Sequence, residues 1–303
     1  MVMDRDSMAG NAKGVAGSSG RASDTKTHRV SVATAEVMGT VATFQVVYDG
    51  SDTEDSPAAE QAIADFLAAM RADQGIFTTY DESSAIRRLA RGELSLGQAP
   101  AEVREVEQAC RLAKVATQGR FDAWLRGWFD PTGYVKGWSA ERAFHKNLEP
   151  LIHEAGPIIA VGVNVGGDMQ LATRSGADWA WQVGIASPFD KTKMLARFSV
   201  NDGAVATSGP GERGAHIIDP KTGQPAASLE SDAQRANMVA SATVIADNLA
   251  MADLWATTAV VAGFKDLDWI KNAGTVSGML VANDGRIRRW VGPVEIPTST
   301  PNG

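Results

Sequence analysis

Pro157-Ile158-Ile159-Ala160-Val161-Gly162-Val163-Asn164-Val165-Gly166-Gly167-Asp168 is the stretch on which the fold class turns. Ile158 to Val165 is an apolar run of strand length, consistent with a strand buried on both faces. It stops at Gly166-Gly167-Asp168, a turn signal. Downstream, Trp179, Trp181, Val183 and Ile185 alternate as a half-buried strand does. Short strands are expected near 195–200, 204–207 and 238–245. Asn283-Asp284-Gly285 between two strand-like runs reads as a hairpin turn. A very apolar helix is expected over about 248–262, capped by Asp247.

Upstream the pattern is mixed. Strands are expected at 30–35 and 40–48, with Met38-Gly39-Thr40 between them. Ser56-Pro57 has the chemistry of an N-cap followed by a first helical residue. Ala59, Ile63, Phe66, Leu67 and Met70 then mark one helical face. A second helix is expected after Pro100, with Val103, Val106, Cys110 and Ala113 as its stripe, and a third after Gly137, with Ala140, Phe144 and Leu148 on one side. Hairpins interspersed with helices, without a regular βα alternation, argue for an α+β fold.

The 303 residues are 44% hydrophobic, enough for a sizeable core in one large domain or two fused lobes. Net charge is −7 and no Lys/Arg cluster stands out, so nucleic acid is not an expected partner. An acidic chain that binds an anionic cofactor needs a metal ion, helix N-termini or backbone N–H groups to do so. The single cysteine, Cys110, allows no intramolecular disulfide and no Cys-based zinc site, and its place on an apolar stripe makes it core. No apolar run is long enough to span a membrane. Residues 1–28 are rich in Gly, Ser, Ala and charge and are expected to be disordered. Without a signal peptide or lipobox the chain as written is expected in the cytoplasm, with export open for a trimmed N-terminus. Residues 29–296 form the expected domain, and 297–303 a polar tail.

Four segments can carry chemistry. Asp253 and Thr257 lie one turn apart on one face of the apolar helix. A buried carboxylate is costly without a partner. Two hard oxygens suit Mg2+, which takes few protein ligands; a bond from Asp253 to backbone or Arg is the other reading. Thr207-Ser208-Gly209 follows a strand and can present N–H and hydroxyl groups to a phosphate. Beyond it, His216-Ile217-Ile218-Asp219-Pro220-Lys221-Thr222-Gly223 puts a histidine and a carboxylate around a turn, as general base or as ordinary turn chemistry. Asp130 to Gly137 leads into a helix with Lys136 nearby, either an anion site or a simple turn. Phe77 to Asp81 sets Tyr80 among polar groups, where its ring can stack on a planar ligand.

The order of these segments resembles that of the ApbE family, the FAD:protein FMN transferases. Met38-Gly39-Thr40, Phe77 to Tyr80 with Ser84, Gly119-Arg120-Phe121-Asp122, Gly133 to Gly137 with Glu141, and Asn164 to Asp168 follow the family's sequence of motifs. Trp181-Gln182-Val183-Gly184-Ile185 before Pro188, Thr207 to Gly209, His216 to Gly223 and Asp253 to Thr257 complete it. The likeness spans about residues 36–292. Departures are the shorter stretch between Asp122 and Asp130, Glu141 where Asp is common, and Thr132 and Tyr134-Val135 around Gly133.

The resemblance implies an ApbE-type, T-fold-like, two-lobed arrangement with FAD in a cleft between the lobes. It implies transfer of FMN from FAD to a Thr or Ser hydroxyl of a target flavoprotein, releasing AMP, with Mg2+ held by Asp253, Thr257 and the Gly133 carbonyl. His216 is the implied general base. Lys136 with Thr207, Ser208 and Gly209 is expected to hold phosphate oxygens. Met38 and Tyr80 are expected to line the flavin or adenine pockets. Gly39, Thr40, Arg120, Phe121, Asp122, Asp130, Gly167, Asp168 and Ile217 complete the implied FAD-binding set. Attack by water, giving an FAD pyrophosphatase, flavin binding without turnover, and a purely structural scaffold, which leaves the ordered polar groups unexplained, are the three other readings.

Overall fold

The structure, a computed structural model, describes residues 27–50, 55–154, 156–210, 217–226, 236–274 and 276–297, with the backbone of Val2 and Met3. The apolar run is strand β4 (Ile158–Val165), and all of it but Asn164 is buried. It lies inside a nine-stranded sheet. In chain order the other strands are β2 (His28–Val37), β3 (Thr40–Asp49), β5 (Asp168–Thr173), β8 (Gly203–Ser208), β9 (Val239–Ala246), β10 (Ser277–Ala282), β11 (Ile287–Val291) and β12 (Val294–Ile296). Their spatial order is β12-β11-β10-β9-β8-β5-β4-β3-β2, and every neighbouring pair is antiparallel. A second sheet joins β1 (Val2–Met3), β6 (Trp181–Ala186) and β7 (Met194–Val200).

Around β4 the sheet is covered on both faces, which is why β4 is apolar but for Asn164. On one face Phe44, Val161 and Val163 pack with Phe66 and Met70 of helix α1 (Pro57–Phe77) and with Trp255 and Ala259 of helix α6 (Leu249–Ala262). On the other, Ile159, Met169 and Leu171 meet Trp181, Val183 and Val200 of the small sheet. A separate helical core gathers α2 (Ala85–Ala90), α3 (Ala101–Ala116) and α4 (Thr132–Ala143) around Phe77, Ile86, Val106, Cys110, Phe121 and Trp138. Burial pushes the Cys110 thiol up, as a core cysteine requires. The α+β class agrees with the reading of the sequence.

Several boundaries move. Helix α4 starts at Thr132 rather than after Gly137, so Gly133 sits in its first turn and Gly137 in its middle. Glycine there reflects close packing: a Cβ on Gly137 would lie 3.1 Å from the Leu249 carbonyl oxygen and 3.2 Å from Asp253 Cβ. Phe144 and Leu148 are buried as expected, but in a π-helical turn, Phe144–Leu148, that follows α4 and leads to α5 (Pro150–His153). The cap of α6 is Asn248, whose side chain accepts the Met251 N–H, and not Asp247. Trp179 lies outside β6. His28 opens β2. The expected disorder of 1–28 and the expected tail 297–303 fall almost wholly outside the described residues. Six-residue α2 and three-residue β12 are too short to show a period in the sequence.

Candidate active site: a cleft between the two cores

Helix α6 supplies residues to both cores: Leu249, Ala252 and Trp255 to the sheet side, Ala250 and Leu254 to the helical side. A cleft of about 480 Å³ opens beside it. One wall comes from Thr79, Tyr80, Arg120 to Ala123, Leu125, Arg126, Asp130 and the first turns of α4. The other comes from Gly166, Asp168, Thr207 to Gly209, Ile217, Ile218, Pro220, Asp253 and Thr257. Segments far apart in the chain therefore meet because α6 spans both cores.

Charge concentrates at the floor. Lys136 of α4 forms an ion pair with Asp168 Oδ2, and its Nζ lies 3.4 Å from Asp253 Oδ2. Both carboxylates are buried, so each needs the ammonium or another cation. Asp168 Oδ1 also accepts the Thr207 N–H at 3.1 Å, which ties β5 to the end of β8. Ser208 Oγ and Thr257 Oγ1 are 3.2 Å apart, and Thr207 Oγ1 and Thr243 Oγ1 2.9 Å apart. Gly209 is obligatory at the close of this loop, since a Cβ there would fall 2.4 Å from the Ala240 carbonyl oxygen.

Of the residues expected from the sequence, Tyr80, Arg120, Phe121, Asp122, Asp130, Gly133, Lys136, Asp168, Thr207, Ser208, Gly209, Ile217, Asp253 and Thr257 all line the cleft. Tyr80 stands at the rim, 98% exposed. Met38 and Gly39 do not line it. They are the left-handed turn (φ 49° and 69°) that closes the β2–β3 hairpin on the Val37–Thr40 pair. The Met38 N–H donates to Gln74 of α1 at 3.2 Å, and its side chain packs against both cores. Gly167 shapes the β4–β5 turn, its N–H on Asn164 Oδ1 at 2.8 Å, while its neighbour Gly166 reaches the cleft. Arg120 is ion-paired with Asp266, and Asp122 with Lys114 at 2.7 Å. Asp130 Oδ1 accepts the N–H of Thr132 at 3.2 Å and starts α4. His216 lies outside the described residues, though Ile217 and Ile218 beside it line the cleft. Asp219 spends Oδ1 on the Lys221 N–H at 2.9 Å, which is turn chemistry.

Sequence reasoning passed over Ala123, Leu125 and Arg126, whose only signal was adjacency to residues already chosen. It named Glu141 as a member of the motif series, at a place where Asp is common, and gave it no role. Glu141 Oε2 accepts the Ala250 N–H at 2.8 Å, and burial holds its carboxyl above the ordinary range against the pull of that bond.

Among the described residues no three His, Cys, Asp or Glu side chains form an all-protein metal cage. The donors on the cleft wall are instead few and hard: a carboxylate and a hydroxyl one turn apart on α6, with the Gly133 backbone in the facing helix. That set fits a cation that keeps much of its coordination for water or phosphate oxygen. No described helix is long and apolar enough to cross a membrane.

The model of the ApbE family matches residues 126–280. The FAD:protein FMN transferase of Escherichia coli K12 is 31% identical over 141 residues, and that of Klebsiella pneumoniae 342 is 30% identical over the same length. Each match takes 43% of this chain and only 38% of the relative. The ApbE protein of Thermotoga maritima superposes with a TM-score of 0.67 at 20% identity, over 86% of this chain and 97% of that one. The apo flavinyl transferase ApbE of Pseudomonas stutzeri gives 0.64 at 18%, over 86% and 93%. At such identities the superpositions speak for the fold.

Proposed function

The chain belongs to the ApbE family, and from that membership we propose that it transfers FMN from FAD to a Thr or Ser hydroxyl of a target flavoprotein, with Mg2+ and with release of AMP. The observation that carries the reading is the meeting, in one cleft, of Lys136, Asp168, the 207–209 loop, Asp253 and Thr257. A pyrophosphate needs such a set: cation, N–H donors and metal-binding oxygens on adjoining walls.

In the proposed step the acceptor oxygen attacks the phosphorus on the FMN side of the pyrophosphate. The bond from that phosphorus to the bridging oxygen breaks, and AMP leaves with the bond's electron pair. His216 takes the hydroxyl proton as the new P–O bond forms, because a neutral hydroxyl is a weak nucleophile. Lys136 and those hydroxyl and N–H groups of residues 207–209 not engaged by Asp168 hold non-bridging oxygens and stabilise the charge on them. Asp168 keeps Lys136 extended into the cleft through their ion pair. Asp253, Thr257 and the Gly133 carbonyl are the residues to hold the metal. Bound there, Mg2+ neutralises phosphate charge and stabilises the leaving group. Oxygen donors without sulfur favour Mg2+ over Zn2+. Tyr80, exposed at the rim, and Phe121, in the wall, offer faces to the flavin or adenine ring.

The test is incubation with FAD, Mg2+ and co-expressed candidate flavoproteins, followed by mass measurement of protein and nucleotide products. AMP with a protein-bound FMN is expected. AMP with free FMN and no adduct on any candidate means water is the acceptor, and FAD left intact ends the enzymatic reading.

A further inference from the structure

The first four N–H groups of a helix have no partner in their own helix. At the start of α6 those of Leu249, Ala250 and Met251 belong to buried or half-buried residues. Asn248, the cap, takes the Met251 N–H at 3.0 Å. The Ala250 N–H goes to a residue 109 positions earlier: Glu141 Oε2 accepts it at 2.8 Å. The cap of α6 is thus shared between its own Asn248 and a side chain of α4.

The placement of Glu141 matters because of what lies one turn away on each helix. Gly137, four residues before Glu141, faces Asp253, with only 3.2 Å between the site of its absent Cβ and Asp253 Oδ2. Asp253, three residues after Ala250, lies on the same face of α6 as the bonded N–H. The helices therefore meet at two adjacent points, Gly137 on Asp253 and Glu141 on Ala250. The first is a steric stop and the second a directional bond. The stop limits how closely the helices approach, and the bond fixes the direction of the first turn of α6 against α4.

Building on the proposed Mg2+ and FAD site, we infer that Glu141 is a positioning residue for the metal ligands: by holding the first turn of α6 against α4 it sets where Asp253 and Thr257 stand relative to Gly133 and Lys136. Burial raises the Glu141 carboxyl above its ordinary range, so a neutral amide of the same shape is tolerated at this place. What α6 requires of Glu141 is the acceptor oxygen rather than the charge.

The experiment compares the full-length wild type with Glu141→Met, which fills the volume without an acceptor, and Glu141→Gln, which keeps one. Mn2+ is titrated without FAD and free ion is read by electron paramagnetic resonance; Mg2+ dependence of AMP release is measured separately. Loss of a group that orients a metal ligand costs about tenfold or more in affinity. In Glu141→Met the Mn2+ Kd and the half-saturating Mg2+ are expected to rise about tenfold, with the rate at saturating Mg2+ within about threefold of wild type. Glu141→Gln is expected to return both to within about threefold. A merely structural role lowers Tm and leaves these quantities alone. A folded Glu141→Met with wild-type Mn2+ affinity overturns the inference, and so does a loss that Glu141→Gln does not recover. Should Glu141→Met not fold, Glu141→Asp, which withdraws the carboxylate by one methylene, is expected to raise Kd about threefold, and an unchanged Kd there overturns it equally. A wild type that binds no Mn2+ instead removes the metal reading itself.

Discussion

Replacing Gly137 with alanine sets two opposed effects against each other. A mid-helix Gly→Ala change by itself favours the helix by about 1 kcal/mol. Against it stands the space. The added Cβ would be 3.1 Å from the Leu249 carbonyl oxygen and 3.2 Å from both Cβ and Oδ2 of Asp253. The carbonyl is α6 backbone and cannot step aside alone, so α6 must move by a few tenths of an ångström. Overpacking of this kind costs about 1–3 kcal/mol. The net is a loss of about 1 kcal/mol, a fall in Tm of about 2–4 °C by scanning calorimetry. The stability change is small because the two effects nearly cancel, and the metal gives the larger signal. The push falls on Asp253, so the Mg2+ needed for half-maximal AMP release is expected to rise about tenfold. A variant that melts above wild type and keeps its Mg2+ requirement would show slack between the helices, and the account of how α4 fixes Asp253 would fail with it.

Three further outcomes follow from the same cleft. Asp253→Ala is expected to lower Mg2+-dependent AMP release by at least about a hundredfold, as the metal's charge stabilisation is lost; near-normal activity removes Asp253 as a ligand. Gly209→Ala places a methyl 2.4 Å from the Ala240 carbonyl oxygen. That strain is expected to cost about 2 kcal/mol in denaturant unfolding, with a raised KM for FAD, and a wild-type midpoint counts against the tight approach of loop to β9. His216→Ala is expected to bind FAD and Mn2+ as wild type does and to slow FMN transfer by about a hundred- to ten-thousandfold; lost FAD binding with a normal saturated rate makes His216 a binding residue.

The parts of the fold legible in the sequence were those with long, regular patterns. β4 could be read because both its faces are covered, which leaves eight residues with one polar exception. The stripe of α3 could be read because Val103, Val106, Cys110 and Ala113 all face one core. Helix α4 was misread at its start for a physical reason. Glycine at 133 and 137 signals a turn in local terms, whereas here Gly137 is demanded by α6, a partner more than a hundred residues away. The cleft was legible as an ordered set of motifs. Its floor was not, since the pairing of Lys136 with Asp168 and Asp253 depends on β5, α4 and α6 meeting. Met38 and Gly39 look like ligand contacts in a list of motifs; the backbone shows them closing a hairpin.

Helix α6 has no solvent stripe, and that fact explains the site better than any single motif. Its residues divide between two cores, Trp255 and Ala259 toward the sheet, Ala250 and Leu254 toward α3 and α4. Asp253 and Thr257 occupy the narrow strip that neither core covers. A carboxylate so placed has little water to solvate it and must be matched by positive charge. Lys136 supplies it from one side, and the proposed metal and its phosphate load belong on the other. The helix is also held from both cores and tied at its first turn by Asn248 and Glu141. A ligand carboxylate on such an element reorganises little when a cation arrives. The burial that makes Asp253 expensive is therefore the same burial that holds it still.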